Sequence, residues 1–499
     1  MSPKDVRLLV VSNRLPIKLE QSGDSWTVKS ASGGLVTALA PVLRDRGGLW
    51  IGWPGVAGEL DLGDTLTTAS SDVGYQLKPV MMTEEELNHF YYGFANEIVW
   101  PLFHDLLTNC NFVPEYWHTY LDVNRKYAQA VADASSERDY IWVHDYHLMH
   151  VAKSLRALGL KRRIGFFLHI PFPPIDIFLK LPWRAQILRA LLEYDLVGFQ
   201  TLRDRRNFVQ CLQHLSRGTR VRGRGPVVTA RHGERDVRLG AFPIGIDFDG
   251  FSERAASREV SDRGWYLHEA LPNRQIILSV DRLDYTKGIP ERLEGFRRAL
   301  VRYPELHEKV TLVQIVVPSR EEVPRYRELR DRIERLISEI NGAFTRPGWV
   351  PIHYLYRSLE RDGLIAHYRV AEIGLITPLK DGMNLVAKEY CSCDVEEKGA
   401  LILSEFAGAA PQLHRGALMV NPLDYEGVAD AIQRAFLMRP PERRARMRKM
   451  RDVIKRTSVF WWVDSFLDAA FARHLEDFPP QAAGGMSEFN YEERDAYGG

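Results

Sequence analysis

Long apolar runs are scarce in this sequence of 499 residues. No stretch reaches the roughly eighteen apolar residues that a membrane-spanning helix requires, so the sequence predicts no membrane partner. The first apolar run, at residues 8–11, is short and is followed directly by polar residues, unlike the layout of a secretory signal peptide. We therefore expect a cytoplasmic protein.

Cysteine and net charge are also scarce. Four cysteines in a chain of this length do not make a disulfide framework, which indicates a reducing compartment. The 66 basic and 65 acidic residues leave a net charge of +1, so no global field recruits nucleic acid. Residues 217–238 and 439–456 are locally basic; we interpret the first as a solvated hairpin and the second as a helix surface. An anionic substrate must therefore be bound by individual arginines and lysines.

The glycine fingerprint of dinucleotide sites is missing, because Gly-x-Gly-x-x-Gly does not follow the first strand. This argues against a nicotinamide-dependent oxidoreductase. A different glycine loop, at residues 30–34, precedes a helix with Leu35, Leu39 and Val42 at helical spacing.

What the sequence does contain is a repeated alternation of strands and helices. Such alternation predicts parallel sheets covered by helices on both faces, and 57.2 kDa is too large for one core. The predicted fold class is α/β, with two Rossmann-like doubly wound parallel-sheet domains facing across a cleft. We predict domains at 1–245 and 246–478, with the last helices crossing back to the first domain, and a disordered tail at 479–499. The predicted strands lie at residues 7–12, 48–54, 140–144, 163–168, 196–200, 240–244, 275–280, 311–317, 352–356, 371–377, 400–404 and 417–421.

The most informative segment is residues 377–390, Thr-Pro-Leu-Lys-Asp-Gly-Met-Asn-Leu-Val-Ala-Lys-Glu-Tyr. It reads as a strand, a loop and a helix that begins near Asn384 or Leu385. Gly382 allows a close backbone approach, and the N–H groups of the helix start attract an anion. Glu389 lies one turn along the same face as Leu385 and could accept two ribose hydroxyls. The alternative is an ordinary strand-to-helix connection with a surface glutamate.

Other polar residues follow predicted strands. Asp145 and His169 do so in the first domain, while Arg282 and Lys287 follow a strand of the second on a turn closed by Gly288. In an open parallel sheet, ligands bind at this end of the strands. For each residue the alternative is structural: a strand-end cap, a loop-ordering histidine or a solvated basic turn.

Three metal sites can be imagined but are discounted. His144, His147 and His150 need not converge in this geometry, and the Asp-x-Asp of Asp247 and Asp249 falls in a linker and not at a strand end. A lone Cys-x-Cys at residues 391–393 is weak support for a metal.

Residues 377–390, together with His-Ile-Pro-Phe-Pro at 169–173, closely resemble the trehalose-6-phosphate synthases, which are retaining glycosyltransferases of the glycosyltransferase-B architecture. The resemblance extends from about Val10 to Val463. It implies transfer of glucose from UDP-, ADP- or GDP-glucose to glucose-6-phosphate with retention, giving α,α-trehalose-6-phosphate. It further implies no cofactor and no metal, and it leaves open both the donor base and a homo-oligomer.

The resemblance also implies roles for individual residues. The implied catalytic residues are His169, Asp381, Arg282 and Lys287. The implied donor-binding residues are Gly34, Arg282, Lys287, Asp381, Gly382, Met383, Asn384, Leu385, Val386 and Glu389. The implied acceptor-binding residues are Arg14, Trp53, Tyr91, Trp100, Asp145 and Arg320.

Two alternatives remain within this resemblance. A related transferase with another sugar-phosphate or pseudo-sugar acceptor would share the donor residues but should lack the paired phosphate grip of Arg14 and Arg320. A non-catalytic sensor of sugar phosphates would be free to lose Asp381 or Glu389, and both are present.

Overall fold

The computed structural model describes residues 6–22, 25–30, 34–58, 62–320 and 323–472. The chain forms two compact units. Within the described residues, the first unit comprises residues 6–244 and 459–472, and the second comprises residues 245–458. The predicted disordered tail at 479–499 lies outside the described residues.

The first unit is built on a mostly parallel sheet. Its strands are β1 (Arg7–Arg14), β2 (Ile17–Ser22), β3 (Ser25–Ser30), β4 (Gly48–Trp53), β5 (Gln76–Pro79), β6 (Asp139–His144), β7 (Ile164–Leu168), β8 (Leu196–Phe199), β9 (Arg220–Arg222), β10 (Val227–His232) and β11 (Arg235–Ala241). In the described part of the chain, nine of them form one sheet in the order β5-β4-β1-β6-β7-β8-β11-β10-β9, and β2 pairs with β3. Strand β6 is buried along its whole length, as expected when helices cover both faces.

Helices connect these strands. They are α1 (Gly34–Arg46), α2 (Gly63–Val73), α3 (Glu84–Glu86), a π-helix (Leu87–Val99), α4 (Trp100–Phe103), α5 (Pro114–Ala134), α6 (Val151–Ala157), α7 (Ile175–Phe178), α8 (Arg184–Leu191) and α9 (Leu202–Leu215), with 3₁₀ turns at Leu107–Asn109 and Tyr146–Leu148. Thr83 and Glu86 form a capping box that starts α3 and the π-helix after it.

The second unit is a fully parallel sheet. Its strands are β12 (Gln275–Arg282), β13 (Val310–Val317), β14 (Ile352–Tyr356), β15 (Ile373–Ile376), β16 (Ala400–Ser404) and β17 (Leu418–Val420), in the order β14-β13-β12-β15-β16-β17 among the described residues. Its helices are α10 (Phe248–Ala256), α11 (Arg258–Glu269), α12 (Ile289–Arg302), α13 (Pro324–Phe344), α14 (Arg361–Val370), α15 (Leu385–Cys393), α16 (Ala410–Leu413), α17 (Tyr425–Leu437) and α18 (Pro440–Arg456), with 3₁₀ turns at Tyr285–Lys287 and Pro304–Leu306. A final helix, α19 (Val459–Phe471), belongs to the first unit, where Phe466 stacks on Trp142. The predicted class of two parallel-dominated α/β sheets is confirmed.

Three local predictions were wrong. The Asn-Gly at residues 341–342 predicts that a helix ends there, but α13 continues to Phe344. Asn341 hydrogen-bonds from within the helix to both backbone groups of Ile352. The strand predicted at 240–244 is β11, which begins at Arg235. The basic segment at residues 217–238 does form a hairpin, but it is not simply solvated. Strand β11 pairs with β8, and Val227 and Ala230 of β10 are buried, so the hairpin is part of the main sheet.

None of the helices in the described part of the chain combines the length and apolar character that crossing a bilayer would take.

Candidate active site

The loop between β15 and α15 is held by one asparagine. Asn384 adopts the left-handed conformation (φ 56°), and its side chain accepts a hydrogen bond of 3.1 Å from the N–H of Ala387, which starts α15 as the sequence predicted. Asn384 also donates 3.3 Å to Oδ2 of Asp381, whose Oδ1 accepts 3.2 Å from the N–H of Met383. The predicted donor residues 381–386 therefore form one hydrogen-bonded turn at the N-terminus of a helix.

A lysine from the loop that follows β12 reaches this turn. Lys287 Nζ lies 2.5 Å from Oδ2 of Asp381, and both side chains are nearly buried. The lysine loop is fixed because the N–H groups of Leu379 and Lys380 donate to the carbonyl of Thr286, at 2.9 and 3.3 Å. The structure thus brings together Lys287 and Asp381, which the sequence places far apart.

A buried arginine supports the lysine loop, and sequence reasoning missed it. Arg292, in the first turn of α12, is 1% exposed and donates to Asp281, to Oγ1 of Thr377 (3.0 Å) and to the carbonyl of Lys287 (3.1 Å). Burial raises the pKa of Asp281 despite the neighbouring Arg292. The available signal was an arginine five residues after Lys287 in an otherwise apolar helix face.

Gly408 was missed as well. The N–H of Gly408 donates 2.8 Å to the carbonyl of Asp381, and a Cβ on Gly408 would come within 1.8 Å of the carbonyl oxygen of Gly382. A glycine is therefore required where the loop after β16 packs against the turn that contains Gly382.

Arg320 and Arg282 are the other two cationic residues of the second unit that were predicted to belong to the site. Arg320 has φ 51°, donates 2.6 Å to the hydroxyl of Tyr326, and lies 3.6 Å from Oδ2 of Asp284. Burial alone would raise the pKa of Asp284, but Arg320, Lys287 and Arg282 hold it below the ordinary value. Arg282 ends β12 and is exposed.

Glu389 lies in α15 and is partly exposed. Its Oε2 accepts a hydrogen bond of 2.9 Å from the hydroxyl of Tyr368. Burial is the main cause that raises the pKa of Glu389, while the hydrogen bond from Tyr368 and the charge of Arg361 oppose the rise.

In the first unit, Arg14 meets two of the predicted acceptor-side rings. Its guanidinium lies 4.6 Å from the centroid of the Trp53 ring and 5.8 Å from that of Tyr91, a cation–π arrangement. Trp50 instead donates 2.7 Å from Nε1 to the hydroxyl of Ser12 and is wholly buried. Of the two tryptophans of β4, Trp53 is therefore the one beside Arg14.

The remaining predicted residues of the first unit are spread over several elements. Trp100 starts α4 and packs against His104 and Tyr146, with ring centroids 4.3 and 5.8 Å away. Gly34 is the first residue of α1.

Asp145 and His169 lie together where β6 and β7 end. Oδ1 of Asp145 accepts 3.2 Å from the N–H of His169, and Asp145 itself has φ 74°. The rings of His169 and His144 approach to 3.1 Å between Nε2 and Nδ1. Burial lowers the pKa of His169 to about 3, so this pair is neutral near pH 7. His144 as a partner of His169 was not predicted.

Within the described residues, no three His, Cys, Asp or Glu side chains group as metal ligands. Asp247 caps α10, accepting 3.0 Å from the N–H of Gly250, so Asp247-x-Asp249 is a helix start and not a linker as predicted.

Comparison with known proteins places these residues in a family. Residues 6–471 match the model of glycosyltransferase family 20. The chain is 45% identical over 468 residues to a trehalose-6-phosphate synthase of Mycolicibacterium vanbaalenii, covering 92% of this chain and 95% of that protein. A solved α,α-trehalose-phosphate synthase (UDP-forming) of Burkholderia xenovorans, in complex with glucose-6-phosphate, is 37% identical with a TM-score of 0.84, covering 93% of this chain and 99% of that one.

A second solved structure, from E. coli and bound with UDP-2-fluoro glucose, is 37% identical with a TM-score of 0.82 and the same coverage, 93% and 99%. A family match over nearly the whole chain, with relatives well above 30% identity, settles the assignment. The chain belongs to glycosyltransferase family 20.

Proposed function

We propose that this protein transfers glucose from UDP-glucose to glucose-6-phosphate, with retention of configuration, giving α,α-trehalose-6-phosphate and UDP. The bond from the glucose C1 to the diphosphate oxygen breaks, and a bond forms from C1 to the anomeric oxygen of glucose-6-phosphate. The acceptor hydroxyl proton passes to the departing diphosphate, on the same face of the sugar. Two relatives support this choice: the Burkholderia xenovorans structure is in complex with glucose-6-phosphate, and the E. coli structure is bound with UDP-2-fluoro glucose.

The observation that carries the proposal is the pairing of Lys287 with Asp381 at the start of α15. A departing diphosphate gains negative charge as the glycosidic bond breaks, so fixed cations and amide dipoles stabilise the transition state. Lys287 and Arg282 supply the cations, and the first turn of α15 supplies N–H groups. Asp381 holds Lys287 until the donor arrives and then binds glucose hydroxyls.

The turn at Gly382, Met383, Leu385 and Val386 binds the diphosphate and glucose through its backbone. Glu389 accepts the ribose hydroxyls. On this proposal the second domain holds the nucleotide.

The first domain holds the acceptor on this proposal. Arg14 binds the phosphate of glucose-6-phosphate with a guanidinium oriented by Trp53 and Tyr91, because a planar guanidinium suits bidentate phosphate contact. Asp145 and Trp100 position the acceptor sugar.

His169 contributes a hydrogen bond near the transferred glucose. Because burial keeps the pKa of His169 near 3, the imidazole is neutral and is not a cationic acid at neutral pH.

The experiment is to incubate the purified protein with glucose-6-phosphate and each of UDP-, ADP- and GDP-glucose, and to measure nucleotide release and product. We expect UDP release that requires glucose-6-phosphate and persists in EDTA. Turnover with a different acceptor only would indicate a related transferase, while binding without turnover would indicate a sensor. Activity abolished by EDTA and restored by a divalent ion would contradict the metal-free mechanism.

A further inference from the structure

A buried tyrosine outside the donor loop contacts Glu389, the residue predicted to bind the ribose. Tyr368 of α14 is 1% exposed, and its hydroxyl donates 2.9 Å to Oε2 of Glu389. Nothing in the sequence motif at 377–390 indicates this residue, because it comes from the preceding helix.

Helix α14 is anchored away from the donor loop. Asp362, in its first turn, accepts 2.7 Å from Nε of Arg254 in α10, and Arg369 in its last turn donates to the carbonyl of Ala255. Gly264 of α11 packs so closely on Val370 that a Cβ there would lie 2.8 Å from the valine side chain. The Tyr368 hydroxyl is therefore presented from a helix that is tied to two others.

The hydrogen bond restricts how Glu389 can turn. A glutamate side chain has several rotatable bonds, and a bond to a fixed donor removes most of that freedom before a ligand arrives. Among the residues that the structure describes, Oε1 of Glu389 has no hydrogen-bond donor. Oε1 is thus the oxygen left to accept from a ligand.

We infer that Tyr368 is a positioning residue for the donor: its hydroxyl holds the Glu389 carboxylate in the orientation that accepts hydrogen bonds from the ribose. This inference rests on the proposed function. Because Tyr368 acts through Glu389, its effect depends on the ribose hydroxyls being there to bind.

The first test compares Tyr368→Phe with Tyr390→Phe. Tyr390 is the next residue after Glu389, is equally buried, and donates 3.0 and 3.3 Å to the carbonyls of Ala371 and Ala400 and not to a site residue. Both variants lose one buried hydroxyl, so Tyr390→Phe controls for the general cost to the fold. We expect the KM for UDP-glucose to rise about tenfold in Tyr368→Phe alone, as for loss of a hydrogen bond to a charged group, with the KM for glucose-6-phosphate unchanged.

The second test replaces UDP-glucose with its 2′-deoxyribose analogue. If Tyr368 acts by orienting Glu389 toward the ribose, the penalty of Tyr368→Phe shrinks to about twofold or less with this donor, since the contact it supports is already weakened. An unchanged tenfold penalty would show a merely structural role and would overturn the inference. So would equal effects of Tyr368→Phe and Tyr390→Phe on the KM for UDP-glucose.

Calorimetric binding of UDP and 2′-deoxy-UDP separates this inference from the proposed function. Wild-type protein that binds UDP but transfers no glucose would count against the proposed function. The inference would still be supported if Tyr368→Phe bound UDP more weakly than wild type but bound 2′-deoxy-UDP as well as wild type does. It would be overturned if Tyr368→Phe bound UDP as tightly as wild type.

Discussion

At the scale of single residues, three predicted site positions adopt a backbone conformation that side chains rarely take. Asp145, Arg320 and Asn384 have φ values of 74°, 51° and 56°. Such conformations cost free energy and persist where the surrounding structure imposes them, often at functional sites. Asn tolerates this region well, so Asn384 was predictable as a helix start, but nothing in the sequence indicates positive φ for Asp145 or Arg320.

Lys287 is the most direct target among the cations. We expect Lys287→Gln to lower kcat on the order of a hundredfold or more, because it removes a fixed charge from the leaving diphosphate. Steady-state kinetics with UDP-glucose measure this. Lys309→Gln, which removes an exposed lysine of the same unit, is the control and should keep wild-type rates. A Lys287→Gln enzyme with normal kcat would exclude Lys287 from transition-state stabilisation.

Arg14 tests the acceptor side. Arg14→Lys keeps the charge but loses the planar group that lies over Trp53, so the KM for glucose-6-phosphate should rise about tenfold with little change in the KM for UDP-glucose. The exposed Arg125, changed to Lys, provides the matched control. Equal increases in both KM values would argue against a role specific to the acceptor phosphate.

Lys388 adds a pH dependence to stability. Burial lowers the pKa of Lys388 to about 7, and Nζ donates 2.6 Å to Oε1 of Gln412. Between pH 7 and the ordinary value of 10.5, the unfolded chain binds a proton here that the folded chain does not, so this group makes stability rise with pH.

Lys388→Met should remove that rise. The difference in the free energy of unfolding, variant minus wild type, should be roughly 3–4 kcal/mol more favourable to the variant at pH 7 than near pH 10. Loss of the hydrogen bond to Gln412 lowers the variant's free energy of unfolding by the same amount at every pH. Urea unfolding at several pH values measures the difference. Parallel stability profiles for the two proteins would contradict a lowered pKa for Lys388.

At the scale of elements, strands with long apolar runs were predicted well. Predictions from short local signals failed where tertiary contacts compete with the signal. The strand predicted at 400–404 coincides with β16. The Asn-Gly at the end of α13 looked like a helix stop, but the bonds from Asn341 to Ile352 override it. Gly408 could not be recognised as necessary, because its reason is the carbonyl of Gly382 on another loop.

Gly408→Ala tests the packing of the donor loop. The added methyl group would have to displace the carbonyl of Gly382, so we expect UDP binding to weaken by about tenfold or more, with a loss of stability. Calorimetry with UDP measures the first effect. Gly342→Ala is the contrasting variant: a Cβ there meets nothing within 4 Å in α13, so stability should rise by about 0.5–1 kcal/mol with UDP affinity unchanged. Normal UDP affinity in Gly408→Ala would show that the contact is unimportant.

At the scale of the whole molecule, the fold class and family could be predicted because the evidence for them is distributed along the chain. Alternating strands and helices recur in both units, and the family match spans residues 6–471. The buried partners of the site residues could not be predicted in this way. Tyr368 and His144 contact the site residues across the fold, and their neighbours in sequence carry no sign of these contacts. For Arg292 the one signal was a charged residue in an otherwise apolar helix face.

In the proposed function, fixed cations and helix dipoles support glucose transfer with retention of configuration. Proton NMR of the product formed from UDP-glucose and glucose-6-phosphate tests it most directly. We expect a product with two α-anomeric protons, that of α,α-trehalose-6-phosphate, accumulating in step with UDP. A β-linked product, or UDP released with free glucose and no disaccharide, would contradict it.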